Sequence, residues 1–418
     1  MTATGEELYK QREQRFDDIV ALKKPDRVPV VPVDIHYFAT KVKGISNRDA
    51  GYDHKRHFDA IRDATLEFGW DGAPYNGVTA TDGWEALGST QYRWPGGDLP
   101  DDAAFQFVEG EYMKGEEYDE FLANPNHFTL TKIYPRIAGN LAGLGQVPLL
   151  PLYWIADTTR LMSVGGALLA APPVRQAIES LLAMSDAMAG FLAADAAYAK
   201  EMADLGYPRL FGLAVTPPFD LISDYLRSLR GSTLDMYRYP DQLLAAVDLT
   251  TQQGIGLATM AMQMTRNPRV FVPMHRGAGG FMSDEQFEKF YWPSFKALIM
   301  AIIEAGGMPC PLFEGDYTPR LKYLAELPAG KVAAHFDKVD RVKFKEILGD
   351  RMCFWGNVPA SILCTGSTQK VKDDVKELID LFGDTGALML DSGLGVPDEA
   401  KPENMMALRE AADEYGVF

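Results

Sequence analysis

Basic residues are in short supply. The 418 residues include 41 Lys and Arg against 58 Asp and Glu, a net charge of -17. Nucleic acid is excluded as a partner on that balance, because phosphate backbones recruit Lys and Arg in clusters. The same deficit disfavours an anionic membrane surface and a strongly polyanionic substrate. Cysteine is scarcer still: Cys310, Cys353 and Cys364 make no CxxC pair and no disulfide framework. No repeat of fixed period and no low-complexity linker divides the chain. The start, Met1-Thr2-Ala3-Thr4-Gly5-Glu6-Glu7, lacks the basic and apolar stretches of a signal peptide. One uncharged run, 137–156, approaches membrane-spanning length, but Gly139, Gly143, Gly145, Pro148 and Pro151 interrupt any helix there. These absences predict a cytoplasmic protein.

What is present is a recurring shape: a short apolar run that ends in a polar residue. It appears at 28–34, 70–75, 147–154, 209–215, 269–274, 308–313, 331–334, 352–355 and 387–390. Between most of these runs lies a stretch long enough for a helix, as at 176–202, 239–264, 284–305 and 369–382. Nearly continuous apolar strands alternating with helices predict a parallel sheet buried on both faces. The expected fold is α/β, a (β/α)8 barrel with an N-terminal helix over 6–22. A doubly wound open sheet is the alternative, but no Gly-rich phosphate loop follows an early strand. Nine runs compete for eight places, so one falls outside the barrel; 70–75 and 331–334 carry the least pattern. Residues 77–133 form a long insertion, rich in Gly, Asp and aromatics, expected to cap one end of a single domain over 1–418.

In such a barrel, reactive side chains sit where strands end. The candidates are Asp34, His36, Tyr75, Tyr153, His275, Glu314, Asp316, His335, Asp337, Asn357 and Asp391. Three of only six histidines fall at strand ends. Glu314, His335 and His275 offer a donor set suited to Zn2+ with one position open for substrate; a Glu–His hydrogen bond without metal is the competing reading. Asp316 and Asp337 could orient ligating imidazoles or cap the next helix. Cys310 shares the face of Glu314 but lies lower, and is expected in the core. Arg276 could hold an acidic group, or pair with a carboxylate; Arg160, Arg227 and Arg230 are also near pocket loops. Met260, Met262 and Met264 are expected to pack. Tyr75, Trp84, Trp94, Tyr153, Trp154, Phe219 and Trp355 supply aromatic surface for a flat ligand.

Several segments in order carry a resemblance: Lys24-Pro25-Asp26-Arg27-Val28-Pro29-Val30, Glu67-Phe68-Gly69-Trp70-Asp71, Glu116-Glu117-Tyr118-Asp119, Pro218-Phe219-Asp220, Leu229-Arg230-Gly231, Trp355-Gly356-Asn357-Val358-Pro359 and Lys401-Pro402-Glu403-Asn404. Together they resemble the uroporphyrinogen decarboxylase superfamily, which includes corrinoid-dependent methyltransferases. Its decarboxylases place arginines just after the first strand, where this chain reads Asp34-Ile35-His36-Tyr37-Phe38-Ala39 with no arginine before Arg48. A polycarboxylate substrate is therefore disfavoured.

The resemblance implies zinc in the methyltransferase branch. Thiol-activating members carry cysteine where this chain has Glu314 and, in Gly393-Leu394-Gly395, Leu394. Aryl methyl ether demethylases resemble a Glu-x20-His pattern, which Glu314 and His335 match; their upstream Glu falls at Ile299, and His275 is taken as the third ligand. The implied activity is zinc-dependent methyl transfer from a small O-methyl compound, such as a methoxylated aromatic, to the Co(I) corrinoid of a separate partner protein. Tyr153 or Asp391 would supply a proton to the departing oxygen, with His36, Tyr75, Trp154, Arg276 and Asn357 about the substrate. A homodimer is compatible with this reading. The alternative is a decarboxylase or metal-dependent lyase acting on a smaller acid.

Overall fold

The computed structural model describes residues 3–74, 80–149 and 157–418. In chain order the strands are β1 (Tyr92–Arg93) and β2 (Gln106–Phe107), paired antiparallel, then β3 (Leu213–Ala214), β4 (Arg269–Met274), β5 (Met308–Asp316), β6 (Ala333–Lys338), β7 (Cys353–Gly356) and β8 (Leu388–Met389). β3 to β8 form one parallel sheet in sequential order. Shorter pairings carry the sheet round. Val31 N–H donates to the Leu390 carbonyl (2.9 Å), Asp71 N–H to Val30 (2.8 Å), and Leu210 N–H to Ala73 (3.1 Å). Gly212 N–H then donates to Arg269 (2.9 Å). Segments 28–33, 70–73 and 208–214 thus link β8 back to β4, and the eight parallel segments make the expected barrel.

Of the two runs with least pattern, 70–75 takes a place in the ring through its residues 71–73, and 331–334 takes one through β6. Of the run 147–154, residues 147–149 form no strand, and the rest lies outside the described residues.

Alternation along the strands divides two cores. Val31, Val33, Phe211, Phe271, Cys310, Leu312, Ala333, Cys353, Trp355, Ala387 and Met389 fill the barrel interior. Their neighbours, including Val30, Val272, Phe313, Phe336, Phe354 and Leu388, face the helices. Burial on both faces explains why the strands read as continuous apolar runs. Cys310 is buried in the interior, as expected.

The first helix, Gly5–Val20, starts at a capping box between Thr4 and Glu7. It plugs the end where the strands begin: Phe16 packs edge-on against Trp355 at 5.8 Å, and Glu13 pairs with Arg269, the first residue of β4, at 2.7 Å. The opposite end, where the strands finish, is left to the insertion. Residues 80–133 supply the helix Thr81–Leu87, the β1–β2 hairpin and the helix Tyr118–Ala123. Buried Arg227 ties this cap to the barrel, donating to Glu111, to the Met113 carbonyl and to both oxygens of Asp235, which also accepts from Tyr118.

The predicted helices appear with bounds moved by a few residues, as Pro172–Asp204, Pro240–Thr265 and Thr368–Phe382. Helix Pro172–Asp204 is long and apolar enough to cross a membrane by length and composition, with a mean hydropathy of 1.4 over its most apolar stretch. Buried Val174, Ala177, Tyr198 and Met202 seat it against the rest of the chain. Met260 and Met264, expected to pack, are exposed at 52% and 75%; they lie on the solvent side of Pro240–Thr265.

Candidate active site

A cavity of about 660 Å3 opens at the strand ends beneath the cap. Its charged wall is His275 and Arg276 after β4, Glu314 and Gly315 near the end of β5, Asp337 in β6, Asp224, and Glu109 from the cap. Tyr92, Phe105 and Phe107 of the cap, with Tyr225 and Phe281, form its aromatic wall. Leu394 stands at the rim, 52% exposed. Inward alternation delivers this set: Cys310 and Leu312 point into the barrel, so Glu314 does too, one layer nearer the mouth. Gly315 turns the backbone immediately afterwards at φ +81°, a conformation that favours glycine, and its N–H donates to Asp337 (2.9 Å).

His275 is the centre of the polar network. Its Nδ1 lies 2.5 Å from Asp224 Oδ2, and its Nε2 lies 3.6 Å from Glu314 Oε1. The backbone beneath it is clamped by Asp220, a buried carboxylate that accepts from the N–H groups of His275 (2.8 Å) and Arg276 (3.1 Å) and from Tyr291 OH (2.8 Å). Burial alone would push the His275 imidazole down. The Asp224 hydrogen bond and the negative charges of Glu314 and Asp220 outweigh it, raising His275 from 6.5 to about 9. Burial raises Glu314 as well, and takes Asp220 up to about 7. The raised pKa favours the imidazolium at neutral pH, whose Nδ1 proton would go to Asp224 and whose Nε2 proton would face Glu314 at the cavity wall.

Arg276 lines the same cavity but is already engaged. Its guanidinium pairs with Asp224 (2.8 Å), donates to Ser223 (3.2 Å) and approaches Glu109 (3.6 Å). This is the carboxylate pairing weighed against a substrate role. Four carboxylates face two cations here, so the cavity is net acidic.

The remaining expected residues fall into three groups. Asp337 lines the cavity and holds the Gly315 backbone, not an imidazole. His335, Asp391, His36, Asn357 and Asp316 do not line it. His335 is aligned in register with Leu312, one layer below Glu314, and its Nε2 meets Asp391 at 3.0 Å where both are almost fully buried. Asp391 also accepts from the Val33 and Ser392 N–H groups, so it anchors the barrel interior and delivers no proton to the cavity. His36 is buried against His57, 3.2 Å away, and burial holds it well below its ordinary value. Asn357 accepts from Arg341 (3.0 Å), and Asp316 caps the turn at Thr318 (2.9 Å). Tyr75, Tyr153 and Trp154 lie outside the described residues.

The expected zinc set is thus not assembled. Glu314 and His275 meet, but His335 belongs to a different layer and a different partner. Among the described residues no three His, Cys, Asp or Glu side chains are grouped to hold a metal ion. The donors present do not fit a three-ligand zinc site.

Sequence reasoning missed Asp220 and Asp224, although their four-residue spacing after a Pro-Pro helix start places them on one helical face. It also missed the aromatic wall, because Tyr92, Phe105 and Phe107 belong to a cap without a strong periodic signal.

Comparison with known proteins bears on the same segments. A sequence model of the uroporphyrinogen decarboxylase family matches residues 170–415. The uroporphyrinogen decarboxylases of Chlorobaculum parvum and Chlorobaculum tepidum are each 26% identical over 137 residues. That alignment spans 32% of this chain and only 38% of each relative's length. A methyltransferase from Methanosarcina mazei is similar in structure along 97% of this chain and 98% of its own, with a TM-score of 0.62 at 16% identity. At that identity the likeness concerns the fold.

Proposed function

The chain belongs to the uroporphyrinogen decarboxylase family, and on that premise we propose that it is a methyltransferase. It takes the methyl group of a small O-methyl compound, a methoxylated aromatic, for transfer to the Co(I) corrinoid of a separate protein docked at the barrel mouth. The observation that carries this reading is His275, held by Asp224 and beside Glu314, in an aromatic-walled cavity with four carboxylates. Such a cavity binds a flat neutral ring and repels the polycarboxylate of a porphyrinogen.

A phenolate or alkoxide leaves poorly, so the departing oxygen needs a proton as the C–O bond breaks. His275 is placed to give it. Asp224 holds Nδ1 and keeps the ring charged, leaving the Nε2 proton directed at the cavity. The methyl carbon passes to the acceptor, the bonding pair stays with oxygen, and oxygen takes the Nε2 proton; solvent then reprotonates the ring. The corrinoid supplies the nucleophile, so the chain needs none of its own. Exposed apolar groups at the rim, Phe107, Phe281 and Leu394, suit a docked partner. Among the described residues no third ligand joins Glu314 and His275 in a group that could hold zinc. The smaller-acid decarboxylase reading takes Arg276 as the carboxylate anchor, and Arg276 is occupied by Asp224 and Ser223.

The test is to mix the protein with cob(I)alamin and a panel of methoxyarenes and follow methylcobalamin absorbance. Turnover that falls at least tenfold in His275→Ala with the fold retained supports the reading. No methylcobalamin from any donor overturns it.

A further inference from the structure

A second cavity of about 550 Å3 lies beside the first, between the cap and the helices Pro218–Ile222 and Pro240–Thr265. Tyr225 lines both, with its ring edge-on to Phe107 of the catalytic cavity at 5.7 Å. The two differ sharply in chemistry. Six charged side chains face the catalytic cavity, whereas among the described residues no Asp, Glu, Lys, Arg or His lines the second. Phe121, Leu130, Ile133, Ile137, Leu221 and Leu226 make most of its wall. The polar remainder is neutral: Gln91, Asn126, Thr250 and Gln253 among others, with the Thr250 hydroxyl already donating to Ala246 (3.0 Å). Such a wall gains from burying apolar atoms and penalises an ion that finds no partner.

We propose that this second cavity binds the uncharged, apolar end of an elongated substrate whose methyl-bearing end sits at His275. The substrate class is then a methoxyarene with a neutral alkyl or aryl substituent, in preference to a carboxylated one. The proposal rests on the methyl-transfer reading of the neighbouring cavity. Tyr225 lines both cavities, so a substituent carried past that ring would leave the charged groups for an apolar surface.

The experiment measures binding of 4-alkyl-2-methoxyphenols, from methyl to butyl, to the full chain by calorimetry, with methylcobalamin formation followed in parallel. Each added methylene is expected to lower Kd about fourfold. A terminal carboxylate in place of the last methyl is expected to raise Kd at least tenfold. Leu130 is 36% exposed at the cavity wall, so Leu130→Glu should keep the fold, checked by an unchanged Tm. That variant is expected to erase the chain-length increments. A Kd independent of chain length, or equal increments in Leu130→Glu, overturns the proposal. Methyl transfer with a flat chain-length series overturns the second cavity and leaves the methyl-transfer reading standing. Increments that vanish in Leu130→Glu, without methylcobalamin from any member, support the cavity and overturn the transfer.

Discussion

Replacing Asp224 by Asn removes a negative charge at 2.5 Å from His275 Nδ1 and preserves the side chain's shape. Holding His275 at about 9 in place of 6.5 corresponds to ~3 kcal/mol of net preference for the charged ring. The Asp224 hydrogen bond is the largest favourable part of it, ahead of Glu314 and Asp220. Asp224→Asn should therefore lower the His275 pKa by one pH unit or more. At pH 8 the native ring is roughly nine-tenths protonated, and in the variant about half of it or more should be neutral. The sign follows from a folded-state pKa above the unfolded one. The pair's contribution to stability is full below about 6.5, declines through neutral and mildly alkaline pH, and is lost above about 9. NMR titration of the ring carbons can follow this, since the chain has only six histidines and His275→Gln assigns the signal. A native His275 that titrates near 6.5, or one that Asp224→Asn leaves unmoved, would refute the account of the site.

Other consequences follow from the same geometry. His335→Ala leaves the buried Asp391 without its imidazole, and should cost about 3 kcal/mol or more in denaturant unfolding; a loss under ~1 kcal/mol would mean the pair is idle. Protein expressed with added zinc should hold well below one zinc per chain by elemental analysis, and His335→Ala should not change that content; one tightly held zinc lost in this variant would restore the three-ligand site. Arg227→Ala should unfasten the cap, with limited proteolysis between 105 and 117 becoming faster and barrel secondary structure unchanged; equal cleavage rates would rule out its anchoring role. A Cβ at Gly393 would lie 2.4 Å from Asp337 Oδ1 and 3.1 Å from its Cα, so Gly393→Ala should cost ~1–3 kcal/mol in the same unfolding assay.

The barrel was legible because its information is local. Each strand is an apolar run bounded by a polar residue, and each helix has its own period, so Pro240–Thr265 and Thr368–Phe382 could be placed from sequence within a few residues. The run 147–154 has the apolar pattern of a strand too, and pattern alone does not separate it from the runs 70–73 and 208–214, whose backbone bonds put them in the ring. The site was legible in part for the same reason. His275, Arg276, Glu314 and Asp337 end their runs, and alternation alone sends His275 and Glu314 into the mouth.

The sequence by itself determined a parallel α/β barrel and an acidic chain with no arginine between Asp34 and Arg48. Tertiary structure decided which strand-end residues share a layer. Spacing along the chain does not encode register between strands: Glu314 and His335 look like partners at 21 residues apart, yet His335 aligns with Leu312 and turns to Asp391. Nor does spacing reveal that Asp224, 51 residues before His275, stands against its ring. That contact needs helix and strand packed together, and it is the largest of the effects that raise the histidine's pKa.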